Sequence, residues 1–401
     1  MKKKVLLVSI VPPHNDCDVR IVMHRHLVER SPFDLHVASN ADFADGLLIH
    51  TKISLPFPFQ KIKKSRFGPV LRKWILDFEN LLWPLIGCRE LQKVVEKFQP
   101  DVMLTLAETG LCHIASKVAR KNRIPLAGLF LDWFPVMNAH FGHEWTRPIL
   151  SKRYRKLYAA CDLAFCTSDG MLETLGPHPN SRVIYPMPGS HKLPKKTFPS
   201  ATGKFRIVYV GSAQGFYGRM LRALIHEVEK HSGLDLIIVG PTQDWPKEDL
   251  RLANEKGICL GFLPPEKAAE VIVSADALLV VMSFEREHEL FMRTSFTTKF
   301  LDYSVFAKPV ILWGPDYCTP SRLAKREDAA LVVETEMPEG VIASAIKLMD
   351  DPTEVARLSV ASRRLNNSVF NPDRLQEIFV NEIEMLALRK PKKMFNNIAM
   401  K

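Results

Sequence analysis

The chain has 401 residues, of which 46% are hydrophobic and 25% charged, a globular composition large enough for two domains. No apolar run approaches the ~20 residues of a membrane span, and seven cysteines without a Cys-x-x-Cys pair fit a reduced cytoplasm better than a disulfide framework. The net charge of +11 is uneven: residues 1–200 hold 29 Lys and Arg against 17 Asp and Glu (+12), and residues 201–401 hold 26 against 27 (−1). This asymmetry indicates that the first half faces something anionic, such as a phospholipid surface or a phosphorylated acceptor, unless the charge only aids solubility.

The first residues are basic and then apolar, as in a signal peptide. The apolar stretch is short, and no small-residue cleavage site follows it before Pro12. We therefore predict a first buried strand and a cytoplasmic location, extended to a peripheral position at the inner face of the membrane. No recognition helix, zinc finger or aromatic-basic repeat points to nucleic acid.

The first half alternates apolar runs with helical patterns. A continuous apolar run such as 5–10 is typical of a parallel strand buried on both faces. Strands are predicted at 5–10, 34–39, 100–106, 125–131, 163–167 and 183–185. Helices are predicted at 19–29, 74–98 with a break near Pro84, 110–121, 148–161 and 169–175. Repeated β-α-β units indicate a doubly wound parallel sheet.

Residues 186–203 interrupt this alternation with four prolines and two glycines, which predicts a linker. The second half then restarts with strands at 206–210, 234–239, 258–260, 277–282, 309–313 and 330–333. Helices are predicted at 219–231, 265–274, 298–306, 339–349, 352–365 and from the Asn371 cap to about 388. We predict an N-terminal domain at 1–188, a linker at 189–203, a C-terminal domain at 204–370, and a helix and tail at 371–401. Two Rossmann-like α/β domains of this kind would face a central cleft, with the last helix crossing back.

A predicted helix start in the segment 295–311 carries Thr297, Thr298 and Lys299, with Asp302 one turn further on. A helix start offers N–H donors and a partial positive charge, which suits a phosphate. Lys299 and Asp302 are three residues apart and project from one face. The pattern predicts a phosphate site beside an acid that can bind a ribose hydroxyl; the alternative is a capped amphipathic helix on the sheet.

A glycine-containing loop at 211–218 lies between a predicted strand and a helix. Gly211 and Gly218 would let the backbone approach a pyrophosphate, although the pattern is not G-x-G-x-x-G and a tight turn is the alternative. Arg219 at the helix start would oppose the helix dipole unless it meets an anion. We therefore predict that Arg219 is a phosphate ligand.

Three acids of the first half are catalytic candidates: Asp132, Glu108 and Asp18. Asp132 and Glu108 each follow a predicted strand, and for Asp132 a turn-forming role is the alternative. Asp18 ends an Asp-x-Asp triplet, but its place after the first strand argues against a metal role, and we predict no metal site. The run 24–26, His-Arg-His, lacks a third ligand at useful spacing and is interpreted as surface.

The segment 61–76 interleaves lysine and arginine with apolar and aromatic residues. Such a stretch can lie on an anionic membrane face, and we predict that role, with a solvated loop and helix flank as the alternative.

Four pieces of the second half, taken in order, resemble the donor-binding domain of GT-B glycosyltransferases, especially the retaining glycosyltransferase family 4. They are Tyr-Val-Gly-Ser at 209–212 with Tyr217, Gly-Phe-Leu-Pro-Pro-Glu at 261–266, Ala-Asp-Ala-Leu-Leu at 275–279, and Thr-Lys-Phe-Leu-Asp-Tyr at 298–303. The first half matches more loosely, through Asp-Trp-Phe-Pro at 132–135.

The resemblance implies a nucleotide-sugar site formed by a diphosphate-binding loop, a loop against the base and a ribose-binding acid. The implied residues are Gly211, Ser212, Tyr217, Gly218, Arg219, Phe262, Leu263, Thr297, Thr298, Lys299 and Asp302. Asp132 then lies where such enzymes often carry a His-Asp pair, although Leu131 replaces the histidine. Thr294 stands where the first of two acids is usual, and Glu285, Glu287 or Glu289 could substitute for it.

These observations predict a GT-B glycosyltransferase that moves a sugar from a UDP- or GDP-sugar to a glycan or lipid-linked acceptor. Transfer would retain configuration, use no metal and no cofactor beyond the donor substrate, and serve surface polysaccharide synthesis. The alternatives are a sugar-nucleotide epimerase-like enzyme on the same fold and a catalytically inactive sugar-nucleotide-binding protein. A periplasmic-type ligand binder is disfavoured by the start of the chain.

Overall fold

A computed structural model describes residues 2–15, 18–43, 48–56, 59–136, 142–189, 194, 198 and 203–389. The chain divides into two compact units. The first comprises Met1–Ile184 and Gln376–Lys401, and the second comprises Tyr185–Leu375. Most of the predicted linker at 189–203 and the tail from 390 lie outside the described residues.

The first unit is built on a seven-stranded parallel sheet. Its strands are β1 (Lys4–Ser9), β2 (Asp34–Ser39), β3 (Ile49–Lys52), β4 (Val102–Leu106), β5 (Leu126–Phe130), β6 (Leu163–Cys166) and β7 (Ser181–Val183). The spatial order is β3-β2-β1-β4-β5-β6-β7, so the direction of winding reverses between β1 and β4. Val5 to Val8 are fully buried, as the continuous apolar run predicts.

Helices connect and cover these strands. They are Asp18–His24, Phe59–Lys63, Arg72–Asp77, Trp83–Ile86, Arg89–Phe98, Thr109–Asn122, Arg147–Ala160 and Asp169–Leu175, with π-helical turns at Arg25–Glu29 and Phe78–Leu82 and a 3₁₀ turn at Glu144–Thr146. The C-terminal helix Pro372–Leu388 contributes its residues from Gln376 onward to this unit. Its start confirms the predicted cap, because Asn371 Oδ1 accepts the Arg374 N–H at 2.9 Å.

The second unit carries a six-stranded parallel sheet. Its strands are β8 (Phe205–Val210), β9 (Leu234–Val239), β10 (Cys259–Gly261), β11 (Ala277–Val281), β12 (Val310–Trp313) and β13 (Leu331–Val333), in the order β10-β9-β8-β11-β12-β13. The winding reverses between β8 and β11. Tyr209, Leu279 and Trp313 are fully buried in its core.

Helices connect and cover the strands of the second unit as well. They are Gly215–Val228, Lys247–Glu255, Pro265–Val273, Glu289–Thr294, Thr298–Ser304, Thr319–Arg326, Glu339–Asp350 and Pro352–Asn367, with a 3₁₀ turn at Arg286–His288. The predicted helix start at Thr298 is confirmed. The helix predicted from Arg219 begins four residues earlier, at Gly215, so Arg219 lies in its second turn.

Two local interpretations are wrong. The break in the long helical pattern falls at Gly87, whose φ of 84° ends the helix Trp83–Ile86, whereas Pro84 sits in the first turn, where proline is tolerated. Arg25 and His26 are buried, with 7% and 6% exposure, because a π-helical turn there points them inward. In the described part of the chain, no helix is both long enough and apolar enough to cross a bilayer.

Candidate functional site

The switch point of the second sheet opens a gap between two neighbouring strands. β8 and β11 pair only through Ile207 with Ala277 and Val208 with Leu278, so their ladder ends two residues before β8 does. At that place the Val210 N–H donates to the Tyr303 hydroxyl at 2.8 Å. Parallel sheets bind ligands beyond the carboxyl ends of the strands at such a reversal.

Two glycines close to the ends of β8 and β9 allow the loops there to touch. Gly211 has φ 140°, and a Cβ on it would lie 2.3 Å from Lys299 Cε. Gly240 has φ 147°, and its Cβ would lie 1.9 Å from the Gly211 carbonyl oxygen. Both positions therefore favour glycine for conformation; at Gly240 the neighbouring backbone also leaves no room for a side chain, whereas at Gly211 a side chain would displace the end of Lys299.

Lys299 is held beside this backbone by two aromatic rings. Its Nζ lies 4.4 Å from the Tyr217 ring centroid and 5.5 Å from that of Tyr209. Tyr209 is buried and its hydroxyl donates to the Ser212 carbonyl at 2.6 Å, which fixes the turn after β8. The fold thus brings together Gly211, Tyr217 and Lys299, three of the residues predicted for the diphosphate.

Arg219 meets an anion, but the anion is a protein side chain; because Arg219 lies in the second turn of its helix, the argument from the helix dipole does not apply to it. Its Nε donates to Glu285 Oε1 at 2.9 Å, and a second guanidinium N–H bonds the same oxygen. Glu285 Oε2 lies 3.3 Å from His288 Nδ1. One carboxylate oxygen each from Glu285 and Glu287 and one ring nitrogen of His288 lie within 4.8 Å of one another. The loop therefore places carboxylate oxygens and an imidazole nitrogen beside an arginine.

Asp302 points back to the chain segment that leads into this unit. Its Oδ1 accepts the Gly189 N–H at 2.9 Å. Thr297 is the residue before the helix Thr298–Ser304, and its side chain does not cap that helix. Thr294 is fully buried, and its hydroxyl donates to the Leu290 carbonyl at 2.8 Å, so it cannot act in place of the usual first acid.

The other residues predicted to bind the nucleotide-sugar donor differ in their exposure. Ser212 and Phe262 are exposed, Phe262 at 80%, and Leu263 is half-buried. Gly218 is buried inside the helix Gly215–Val228, where a Cβ would lie 2.5 Å from the Ala213 carbonyl oxygen. Its place is therefore set by close packing of the helix on the preceding turn.

The first unit gathers two of its three candidate acids near one buried hydroxyl. Asp132 follows β5, and its carbonyl accepts from the Tyr154 hydroxyl at 2.8 Å. Glu108 precedes the helix Thr109–Asn122, and Thr109 has a left-handed φ of 52°. Burial, reinforced by negative charges that include Asp132 and Glu108, raises the pKa of Tyr154 well above its ordinary value. Asp18 is the first residue of its helix, and its side chain lies outside the described part of the structure.

Several residues that shape the site have only a weak signal in the sequence. Tyr303 stands out only as part of the motif at 298–303, and Gly240 is not predicted. The signal for Gly240 is the repeated pattern of a buried strand ending in Val-Gly, at 210–211 and again at 239–240. The pairing of Arg219 with Glu285 joins positions 66 residues apart and has no local signal.

No protein-family profile matches the chain, and no curated protein matches it in sequence. Among solved structures, the Anabaena protein HepE in complex with UDP aligns over 95% of this chain and 100% of its own, with a TM-score of 0.67 and 13% identity. A sucrose-phosphate synthase from Thermosynechococcus elongatus aligns over 96% and 99% with a TM-score of 0.64 and 12% identity. WaaG, a glycosyltransferase involved in lipopolysaccharide biosynthesis, aligns over 93% and 99% with a TM-score of 0.55 and 12% identity.

These likenesses, together with the two parallel α/β sheets, define the class: the chain has the GT-B fold of glycosyltransferases. The predicted fold class is confirmed at this level. Membership of family 4 within that class stays a prediction.

Proposed function

We propose that this protein is a glycosyltransferase that takes its sugar from a nucleoside diphosphate. The observation that carries the proposal is the Lys299 ammonium placed beside the Gly211 backbone at the switch point of the second sheet. HepE, a protein of the same fold, has been solved with UDP and with UDP-glucose, which favours a UDP-sugar over a GDP-sugar as the donor.

The proposed chemistry is neutralisation of a leaving diphosphate. Negative charge grows on the diphosphate as the glycosidic bond breaks, and a fixed cation stabilises it more in the transition state than before. Lys299 would supply that cation, assisted by Arg219 and the amides of Thr298 and its neighbours. Asp302 would bind a ribose hydroxyl in exchange for the Gly189 N–H, and Phe262 and Leu263 would cover the base.

We further propose retention of configuration, without a metal ion and without a cofactor beyond the donor. Two protein cations at the diphosphate would perform the charge neutralisation that a divalent ion performs elsewhere. Asp132, Glu108 and Asp18 are the first-unit acids proposed to orient the acceptor or to take its proton.

The proposed acceptor is a growing glycan or a lipid-linked sugar, reached at an anionic membrane surface. The segment 61–76 supports this, since Phe67, Val70 and Trp74 are 54%, 81% and 60% exposed among lysines and arginines. Leu85 and Ile86, each 64% exposed, extend the apolar surface of the same unit. A basic surface with exposed aromatic and aliphatic groups fits the boundary between head groups and acyl chains. WaaG, which shares the fold, acts in lipopolysaccharide biosynthesis.

The test is a thermal-shift screen of UDP, GDP, TDP and their sugars against the full chain. A ligand at 100 times its Kd adds about 2.7 kcal/mol of stability, which is readily measured. We expect UDP and one UDP-sugar to raise the melting temperature, and that sugar to yield free UDP and a glycosylated product with membrane lipid extracts. Folded protein that no nucleotide stabilises would refute the donor site. Sugar interconversion without nucleotide release would indicate the epimerase alternative, and binding without turnover the inactive binder.

A further inference from the structure

The ion pair between Arg219 and Glu285 spans the place where the donor diphosphate is proposed to bind. Arg219 lies on the helix that follows β8, and Glu285 lies in the loop that follows β11. β8 and β11 are the neighbours between which the winding reverses, so the pair bridges the two loops that border the ligand crevice. It is partly open to solvent, with side-chain exposures of 51% and 31%.

Glu285 is held in a defined orientation. Its N–H donates to Ser283 Oγ at 3.1 Å, and that oxygen lies 3.1 Å from His288 Nδ1. The same ring nitrogen lies 3.3 Å from Glu285 Oε2. The Phe216 ring, in the first turn of the helix that carries Arg219, lies 5.0 Å from the His288 ring.

The two other acids of this loop lack that arrangement. Glu287 is 70% exposed, and Glu289 accepts from Arg293 Nε at 2.9 Å on the surface of a short helix. Of the three candidates for the acid of the donor site, the structure therefore singles out Glu285.

Building on the proposed function, we infer that Glu285 occupies the place of the diphosphate on Arg219 and is exchanged for it when the donor binds. A guanidinium group can donate the same pair of N–H groups to a carboxylate or to a phosphate, and Arg219 donates two N–H groups to Glu285 Oε1. A diphosphate carries more charge than one carboxylate and is also met by Lys299, so it can displace Glu285. Glu285 thereby lowers the affinity for bare anions and favours ligands that bind the rest of the site.

The experiment measures binding of inorganic pyrophosphate and of UDP by calorimetry to the full chain and to four variants. They are Glu285→Gln, Glu287→Gln, Arg219→Ala and the double variant Arg219→Ala with Glu285→Gln. Glu287→Gln is the matched control, because it removes the same charge from the same loop two residues away. We expect Glu285→Gln to bind pyrophosphate about two- to fivefold more tightly, the range set by a partly exposed ion pair. We expect Glu287→Gln to match the unaltered chain, and Glu285→Gln to have no effect in the Arg219→Ala background.

Equal gains in Glu285→Gln and Glu287→Gln, or a gain that persists without Arg219, would show a general charge effect and overturn the exchange. Weaker binding by Glu285→Gln would show that Glu285 positions Arg219 for the phosphate, which also overturns it. If the unaltered chain binds neither UDP nor pyrophosphate, the proposed function itself fails. If it binds UDP and Glu285→Gln changes neither affinity, the exchange is overturned and the proposed function stands.

Discussion

The Lys299 side chain packs directly against the backbone of Gly211. The lysine stem crosses the face of Gly211 where a side chain would point, with Lys299 Cε 2.3 Å from a notional Cβ. Any side chain at 211 must therefore adopt a φ of 140° and push Lys299 away. Glycine at 211 therefore serves both the backbone conformation and the position of the Lys299 ammonium.

Gly211→Ala is expected to lower the free energy of unfolding by about 1–3 kcal/mol, the usual cost of a strained backbone position, and to weaken UDP binding. Urea denaturation and calorimetry measure the two effects. Gly233→Ala is the control, because its Cβ would meet only Met349 Sδ at 3.8 Å. Equal behaviour of the two variants would contradict the proposed approach of Lys299 to the backbone.

Lys299→Ala is expected to reduce the transfer rate about 10²- to 10³-fold, the scale seen when one transition-state charge contact is lost. The loss should appear in kcat more than in KM, because the contact strengthens as the diphosphate leaves. Lys267→Ala provides the control, since Lys267 is 61% exposed and pairs with Glu270 within its own helix, Pro265–Val273, which is not the helix that carries Lys299. An unchanged kcat in Lys299→Ala would exclude the proposed role.

The short helix Thr298–Ser304 is fastened to the end of β8 by a side chain rather than by a strand. Tyr303 is buried, and its hydroxyl accepts the Val210 N–H at 2.8 Å where the ladder to β11 has ended. Burial raises the pKa of this phenol well above its ordinary value, so it stays protonated. The helix that carries Lys299 and Asp302 is thereby held against the glycine loop.

Tyr303→Phe should lower the free energy of unfolding by about 1–3 kcal/mol, because it leaves the Val210 N–H without its acceptor. It should also weaken UDP binding, since Lys299 is carried by the same helix. Tyr317→Phe serves as the control. Tyr317 contacts Arg293 through its ring, which phenylalanine keeps, and within the described residues its hydroxyl makes no hydrogen bond that the change would remove. A Tyr303→Phe protein with unaltered stability and affinity would argue against the fastening.

Element by element, the sequence predicts what periodicity controls and misses what distant contacts control. The buried strands β1, β4, β8 and β11 follow from their continuous apolar runs. The sequence does not predict the edge strand β3 or the helices Lys247–Glu255 and Thr319–Arg326, because β3 has only four residues and the two helices are short and largely polar. The bond from Tyr303 to Val210 spans 93 residues and depends on how far two strands stay paired, which no local pattern records.

In the whole molecule, acid sensitivity is expected to arise in the first unit. Burial, with Arg25 and Arg30 nearby, lowers the pKa of His26 from 6.5 to about 4, while a bond to Gln376 opposes the shift. Burial also lowers the pKa of His113 to about 4. The unfolded chain binds these two protons more readily than the folded chain. The stability that the two neutral histidines contribute is therefore fully present above pH 6.5 and is lost as the pH falls toward 4.

His26 alone should account for a loss of about 3 kcal/mol between pH 7 and pH 4, at 1.36 kcal/mol per pKa unit. Urea midpoints measured across that range should fall less steeply for His26→Asn than for the unaltered chain. His226→Asn is the control, as His226 is 57% exposed. Parallel pH profiles for all three proteins would contradict the assignment.

The charge asymmetry of the chain is expected to appear as selective adsorption to anionic bilayers. The pair Val70→Ser and Trp74→Ser should reduce cosedimentation with phosphatidylglycerol vesicles about tenfold or more, because each buried apolar side chain contributes on the order of 1.5–3 kcal/mol. Val360→Ser removes a side chain that is 67% exposed in the neutral half and should change nothing. If neither salt nor the substitutions at Val70 and Trp74 change vesicle binding, the proposed membrane role of the segment 61–76 is wrong.

The contact of Gln376 with the first unit has a consequence for synthesis on the ribosome. Its Nε2 donates to the carbonyls of His26 and Arg30 at 3.0 Å, and its Oε1 lies 3.0 Å from His26 Nδ1. Phe379 then packs its ring on His26 at 4.7 Å. The first 184 residues therefore emerge without their final partner, while residues 185–375 are contiguous and can complete their core without it. A released chain that ends at residue 375 should protect residues 185–375 from protease and leave the first 184 residues open to cleavage.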